Sequence, residues 1–313
     1  MGANMMSDRA DVAETLDSCP LCSGTSFRRL STPVHWIGRE IFSRGSDFFG
    51  LLRCRSCSLA FVNPRPNQAL LNAFYDCNNY ACHTPEAGNP KTAQFLLECI
   101  KRRGPYEGRR FLDFGCGGGF LLAAARDDDW NATGYDVGPR ALASCTAQGL
   151  TATGNLSDLS SSSFDVVFLN HVFEHLADPH AVLSQCRRLL KKNGKLFVVV
   201  PNLEGMRARS AFPFLSRHFS VDERHRAFPI HLFYFTPKTL SQTLERNSLQ
   251  VVAVETFGLG INELINRPDA GRKGGMKVST ADPRRSRALR EIFKRIFFRA
   301  GLGENLLVVA HPL

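Results

Sequence analysis

The run Phe111-Leu112-Asp113-Phe114-Gly115-Cys116-Gly117-Gly118-Gly119 constrains this chain more than any other stretch. It predicts a short buried strand that breaks into a glycine turn and then opens a helix over residues 120–126. Glycines at this spacing permit a tight turn and let a ligand approach bare backbone. The helix N-terminus behind them offers unpaired N–H groups to a polar ligand. An acid, Asp113, stands two residues before the first glycine. The dinucleotide fingerprint needs a glycine or small residue at position 120, where this chain has Phe120. A second acid, Asp136, ends the next predicted strand, residues 132–136. That is where an open α/β sheet places a carboxylate for ribose hydroxyls, about twenty residues after the glycines.

The surrounding pattern is an alternation. Strands are predicted over residues 110–114, 132–136, 164–169 and 195–200. Helices are predicted over 120–126, 139–148 and 179–192, the last ended by the C-cap signal Asn193-Gly194. A further helix starts at Thr236-Pro237, with proline at its first position, and runs to about 246. Strands over 251–256 and 306–310 follow. Apolar strands alternating with helices imply a parallel sheet covered on both faces, so the expected fold class is α/β with a Rossmann-like sheet. At 313 residues the chain suits one large domain plus a small one.

Four of the ten cysteines form two Cys-x-x-Cys pairs, Cys19/Cys22 and Cys54/Cys57. Each would sit in a tight knuckle, with Pro20 and Gly24 as turn formers in the first. The loop between the pairs is longer than the 15–20 residues of a compact ribbon. Four thiolates in tetrahedral geometry make a closed structural zinc site, and a module this small needs such a staple. Residues 18–66 therefore read as a zinc-ribbon-like module, with redox use of either pair as the alternative. Asn63-Pro64-Arg65-Pro66 would follow as a stiff linker. The remaining cysteines read as small buried hydrophobes or surface thiols.

Residues 1–17 are expected to form a disordered tail, and residues 67–105 a helical linker or lid containing Phe74, Tyr75 and Tyr80. The start carries acids and no apolar stretch, so a secretory leader is not expected. Met6 stands where myristoylation would want Ser or Thr. No apolar run approaches the ~20 residues of a membrane span, and a cytoplasmic location is expected. The net charge of +10 is uneven. Between Arg267 and Arg299, eleven Lys or Arg face three acids, so one basic insertion at about 265–300 holds most of the excess. Within it, residues 284–299 read as a basic amphipathic helix. Such a helix can rest on an anionic membrane, meet a lipid-linked acceptor or cap the large domain.

Several segments together resemble class I S-adenosylmethionine (SAM)-dependent methyltransferases of the small-molecule branch. They are the glycine run, Ser163-Phe164-Asp165-Val166-Val167, His171-Val172-Phe173-Glu174-His175-Leu176-Ala177-Asp178-Pro179, Leu190-Lys191-Lys192-Asn193-Gly194-Lys195-Leu196 and His231-Leu232-Phe233-Tyr234-Phe235-Thr236-Pro237. The cysteine pairs ahead of them resemble a subgroup with an N-terminal zinc ribbon. The resemblance covers residues from about 18 to 313 and implies a sheet with an antiparallel last strand, with residues 106–313 as the methyltransferase domain. It further implies that Asp113, Gly115, Cys116, Gly117 and Gly119 face the methionine part of SAM. Asp136 would accept from the ribose hydroxyls, Val137, Leu156 and Ser157 would border the adenine, and Asn170 and His171 the methyl group. Cys116 departs from the commoner small or polar residue. On substrate the resemblance implies a small-molecule acceptor, such as a sugar, a polysaccharide precursor or a related hydroxylated metabolite.

A hydroxyl acceptor needs a base. His171, Glu174 and His175 are the candidates, because helical spacing would let His171 share a face with both. The cluster can hold a proton, or a divalent metal as in quinone O-methyltransferases, where an acid usually takes the place of His171. Glu174 and His175 can also simply brace the turn before Asp178-Pro179. Tyr80 and His231 are candidates for the acceptor side, or ordinary packing. The competing function is a nucleic-acid-binding protein that uses the ribbon and the basic segment. It is disfavoured because Asn170-His171-Val172-Phe173 is not a base-methylation motif, and the ribbon lacks a dense basic and aromatic surface.

Overall fold

The computed structural model describes residues 13–30, 49–78, 90–205, 228–258, 298 and 300–313. Tyr80, Cys82, the first twelve residues of the expected tail and all but residue 298 of the basic helix expected at 284–299 lie outside the described residues. So does most of the insertion expected at 265–300.

Thirteen strands are described, β1 (Ala13–Glu14), β2 (Phe27–Leu30), β3 (Leu51–Cys54), β4 (Ala60–Val62), β5 (Arg65–Pro66), β6 (Arg110–Phe114), β7 (Asn131–Tyr135), β8 (Ala152–Thr153), β9 (Phe164–Asn170), β10 (Leu190–Pro201), β11 (Phe233–Tyr234), β12 (Leu249–Phe257) and β13 (Asn305–Pro312). The α-helices are α1 (Gln68–Asn78), α2 (Pro90–Lys101), α3 (Phe120–Asp127), α4 (Pro139–Ala147), α5 (Pro179–Leu189) and α6 (Pro237–Glu245).

Seven strands form the main sheet in the order β12-β13-β10-β9-β6-β7-β8. β10, β9, β6, β7 and β8 run parallel, and the last strand, β13, is antiparallel to both neighbours. The chain moves from β6 outward to β7 and β8, then returns to β9 on the other side of β6. The β6/β9 boundary is therefore the topological switch point, the place where open α/β sheets bind ligands. Strand alternation explains why the sheet is apolar throughout. Leu112, Phe114, Val167, Leu169, Val198 and Val308 enter one core cluster. Phe111, Val166, Phe168, Phe197, Val199 and Val309 enter the other, against Leu96, Ile100 and Leu121 of α2 and α3. Both faces are covered, as parallel strands require.

The cysteine module is not a separate body. Its strands form a four-stranded sheet, β11-β4-β3-β2, whose outer strand β11 comes from a segment far along the chain. Cys19, Leu21, Cys54, Cys57, Leu59 and Phe61 share one core cluster with Phe173, Leu183 and Phe235.

Three local expectations are corrected. The Asn63-to-Pro66 stretch, expected as a stiff linker, is part of a small sheet instead, because Arg65–Pro66 pairs with Ala13–Glu14. That pairing also removes residues 13 and 14 from the expected disordered tail. Arg65 is buried, and its guanidinium donates to Glu14 Oε1 and, at 2.9 Å, to the Ala177 carbonyl. The helix expected over 179–192 ends at Leu189, and β10 begins at Leu190. Leu190 pairs with Phe164 and the register then shifts before Lys195, so Asn193-Gly194 serves a bulge rather than a C-cap. A Cβ at Gly194 would lie 2.8 Å from the Phe164 carbonyl oxygen, which explains the glycine. Among the described residues no helix is long and apolar enough to cross a membrane.

Candidate functional site

β6 delivers Asp113 to its carboxyl end, and the chain then turns through Gly115 (φ +82°), Cys116, Gly117 (φ +49°), Gly118 and Gly119 (φ +82°) into α3. Positive φ is disfavoured for residues with a Cβ. Gly115 carries a second demand, since a Cβ there would lie 2.4 Å from Val172 Cγ2. The glycine turn is thus in direct contact with the segment that follows β9. The Gly115 and Cys116 N–H groups donate to the Tyr135 carbonyl at 2.7 and 3.0 Å, so the turn is tied to the end of β7.

Asp136 lies one residue past β7. Its Oδ2 accepts from Gly117 N–H at 2.9 Å and its Oδ1 from Gly138 N–H at 2.8 Å. Each oxygen keeps a lone pair free, so the carboxylate is fixed in place and still able to accept from a hydroxyl. Asp113 is buried, and burial pushes its carboxyl up to about 7, with the Asp136 charge adding to the effect and the Leu122 N–H opposing it. Val137 is highly exposed beside Asp136. Leu156 and Ser157 lie on a 3₁₀ turn (Leu156–Asp158) capped by Asn155, whose side chain accepts from Ser157 N–H at 3.0 Å. Asn170 is the half-buried last residue of β9. Every residue expected to contact SAM therefore lies at or just beyond the carboxyl ends of β6, β7, β8 and β9.

The segment after β9 departs from the helical spacing expected of it. His171 has φ +54°, with its N–H donated to the Val199 carbonyl at 2.9 Å, and only Phe173–His175 forms a 3₁₀ turn. A histidine held in this conformation costs on the order of 1–2 kcal/mol, and such strain concentrates at functional positions. The departure still unites the three candidates. His171 Nδ1 is 3.3 Å from Glu174 Oε1, and His175 Nε2 is 3.9 Å from the same oxygen.

His231 joins them, its Nε2 also 3.9 Å from Glu174 Oε1. The rings of His175 and His231 meet edge to face at 4.5 Å, and Tyr75 of α1 meets His175 at 6.1 Å. In the sequence His231 carried only a packing or lining role, because nothing local links it to Glu174. Tyr75 was one of a patch of aromatics, and Tyr234, 6.2 Å from His231, was part of a motif with no role attached.

Glu174 is 1% exposed, and among the described residues its Oε2 has no hydrogen-bond partner. Burial alone would raise its pKa. The hydrogen bond with His171, with added attraction from any neighbouring imidazole that is protonated, outweighs burial and holds the carboxyl low, at about 2. An ionised carboxylate only accepts, so His171 Nδ1 must be the donor, which leaves the lone pair on its Nε2. His175 turns Nδ1 toward the Ile230 carbonyl at 3.3 Å, an acceptor too, so its Nε2 likewise carries a lone pair. Burial pushes His175 down and takes His231 to about 3, with neighbouring His175 adding to the effect at His231.

These values set a sign for acid stability. His231 stays neutral in the fold while the unfolded chain takes up a proton below its ordinary 6.5, so stability falls as pH drops from 6.5 toward 3. Glu174 adds a loss between 4.5 and 2, whereas Asp113, raised to about 7, works the other way between 7 and 3.8. Replacing His231 by Gln removes the first of these. The expected result is a Tm that falls less between pH 6.5 and 4.5 in His231→Gln than in the wild type, measured without added divalent cation. Parallel curves would show that His231 is not buried neutral.

The four cysteines converge as expected. Cys19 and Cys57 sulfurs are 3.5 Å apart, as are those of Cys22 and Cys54, and all four lie within 4.8 Å of one another. Tetrahedral zinc with Zn–S of about 2.3 Å needs sulfurs about 3.8 Å apart. Burial raises the Cys54 thiol, but the N–H groups of Cys57 and Ser56 and the neighbouring thiols bring it down to about 7. Burial raises the Cys19 and Cys57 thiols instead, but N–H groups of Cys22, Leu21 and Leu59 also point at those sulfurs, and N–H groups aimed at four converging sulfurs fit zinc-bound thiolates. Glu174, His175 and His231 form a second group whose donor atoms lie within 4.8 Å of one another.

A family model described as methyltransferase domain matches residues 88–254. The chain is 30% identical to a ubiquinone biosynthesis O-methyltransferase of Methylococcus capsulatus over 195 residues, 58% of this chain and 77% of that protein. It is 33% identical to the protein of the same name from Xylella fastidiosa over 116 residues, 34% of this chain and 47% of that one. The chain thus spans about half the length of the latter. Among solved structures, a SAM-dependent methyltransferase from Archaeoglobus fulgidus aligns at 19% identity and a TM-score of 0.44, covering 70% of this chain and 94% of that one.

Proposed function

This chain belongs to the methyltransferase-domain family, and from that premise we propose that it is a SAM-dependent enzyme that methylates a hydroxyl of a small-molecule acceptor. The acceptor class we favour is a sugar, a polysaccharide precursor or a related hydroxylated metabolite. The observation that carries the reading is the contact between two half-sites, with Val172 of the His171–Glu174 segment lying against the bare backbone of Gly115.

Bound SAM supplies a methyl group already activated by the sulfonium charge. The protein's task is to orient the partners and manage one proton. The glycine turn offers backbone to the methionine part, and Asp136 accepts from the ribose hydroxyls. His171 Nε2 takes the acceptor's hydroxyl proton as the oxygen attacks. Glu174 holds the ring in the tautomer that carries the lone pair on Nε2 and stabilises the imidazolium that forms. The four cysteines would hold one structural zinc, closed to substrate.

A second reading of the acceptor side is favoured by one observation. His175 Nε2 and His231 Nε2 each lie 3.9 Å from Glu174 Oε1, and among the described residues Glu174 Oε2 has no hydrogen-bond partner. A divalent cation held by Glu174, His175 and His231 would satisfy all of them and polarise the acceptor hydroxyl. Elemental analysis separates the readings, since about one zinc per chain fits the cysteine set alone, and a further cation lost in Glu174→Gln would favour the second.

The deciding experiment is calorimetric titration of the purified protein with SAM and, separately, with NADH. Micromolar SAM binding without NADH binding is expected, and a folded protein that ignores SAM would end the proposal. The affinity should also depend on pH. The SAM ammonium favours ionised Asp113, and below its pKa of about 7 that group must first lose a proton. Affinity should therefore fall as pH drops from 8 to 6, approaching tenfold per unit at the acid end. Asp113→Asn should bind more weakly and lose this slope, and a wild-type affinity flat over the range would place Asp113 away from the ligand.

A further inference from the structure

We propose that the cysteine module positions the acceptor-side histidines, with Arg65 as the positioning residue that ties the module to them. This rests on the reading of Glu174, His175 and His231 as acceptor-side groups.

The argument follows the hydrogen bonds outward from Glu174. Its own carbonyl accepts from Leu232 N–H at 2.8 Å, and the Leu232 carbonyl accepts from Val62 N–H at 2.9 Å. Val62 ends β4, and the pairing continues as Phe233 with Phe61 and Tyr234 with Ala60. β4 pairs in turn with β3, which ends on Cys54. The Ile230 carbonyl, two residues before Leu232, is the partner that orients His175. The segment 230–234, which includes His231, therefore has its place set by a strand of the module.

Arg65 makes the second tie, donating to the Ala177 carbonyl two residues after His175 while also binding Glu14. The knuckle makes a third. The Pro20 carbonyl accepts from His180 Nε2 at 2.7 Å, and the Leu21 carbonyl accepts from Arg246 Nη1 at 2.8 Å. Residues 174–180 are thus held from the module at several points. The glycine turn and Asp136 bond instead to Tyr135 and Gly138 and to each other. The cysteine set, by fixing β3 and the knuckle, reaches the acceptor half through hydrogen bonds, and it meets the glycine-turn half through the shared apolar core and the Val172–Gly115 contact.

The test uses full-length, zinc-loaded protein labelled at histidine 13Cε1, with His175 and His231 resonances assigned by substitution. Arg65→Gln should shift both ring resonances, Arg65→Lys should restore them in part, and SAM affinity should change by less than about twofold in either. Unmoved ring resonances in a folded Arg65→Gln protein would overturn the proposal, as would a loss of SAM affinity equal to the disturbance at the histidines. If Arg65→Gln does not fold, zinc chelation of the wild type decides. The Leu232 amide should then exchange about tenfold faster while amides of residues 111–119 hold, and uniform acceleration or exchange confined to the knuckles would refute the idea. A wild type that fails to bind SAM would defeat the proposed reaction yet leave the ring-resonance result to be read independently.

Discussion

Replacing His171 by Ala should lower the rate of methyl transfer by roughly 100- to 10,000-fold, the range typical of losing a positioned general base. The readout is single-turnover transfer from labelled SAM to any hydroxylated acceptor the wild type methylates. Three observations make His171 the choice. It follows β9 at the switch point, it is held at φ +54°, and its Nδ1 is engaged by Glu174 at 3.3 Å, which places the ring lone pair on Nε2. Glu174→Gln should give a loss of the same kind, because an amide no longer stabilises an imidazolium and can present a donor to Nδ1. SAM affinity should change little in both, since the glycine turn and Asp136 are the groups expected to hold the cofactor. A His171→Ala protein that keeps wild-type rates would remove His171 from the mechanism and leave the cation reading of Glu174, His175 and His231. Equal losses of rate and SAM affinity would instead mean that the segment supports the glycine turn through Val172.

Asp136→Ala should weaken SAM binding by about 100-fold, or about 2.7 kcal/mol. One hydrogen bond to a charged group contributes about 1.5–3 kcal/mol, and here the carboxylate also organises the turn by accepting from Gly117 and Gly138 N–H groups. Asp136→Asn keeps one acceptor oxygen but presents an N–H₂ group to one of those N–H donors, so it should fall between. Calorimetric titration measures both. A change below about threefold in Asp136→Ala would mean that the ribose lies elsewhere, and the alignment of this turn with a SAM pocket would fail with it.

Much of the fold was legible because its signals are local. The strand of residues 110–114, the glycine turn and α3 follow from apolar residues, positive-φ glycines and a helix start within about twenty positions. Pro139, Pro179 and Pro237 each open a helix where proline's fixed φ suits the first turn. The four cysteines were legible because tetrahedral thiolate sites impose a spacing. Asn193-Gly194 misled for an instructive reason. It is a good helix stop in isolation, but Leu190 gains more by joining Phe164 across the sheet, and tertiary pairing overrode the cap. Asn63-Pro64-Arg65-Pro66 misled in the same way, since two prolines suggest a stiff connector while Glu14 and the Ala177 carbonyl together draw Arg65 into the interior.

The sequence by itself determined most of the strand–helix alternation of residues 110–201, the glycine turn with its two acids, and the convergence of four thiols. Each of these depends on spacing and backbone preference within a short window. Only the tertiary structure decided that Glu174 gathers His171, His175 and His231 about one oxygen, and that the cysteine module is completed by β11. Those arrangements depend on strands that pair across more than a hundred residues, where the backbone N–H and C=O groups of any sequence are interchangeable. Which of them meet is settled by the packing of both sheets against one shared core.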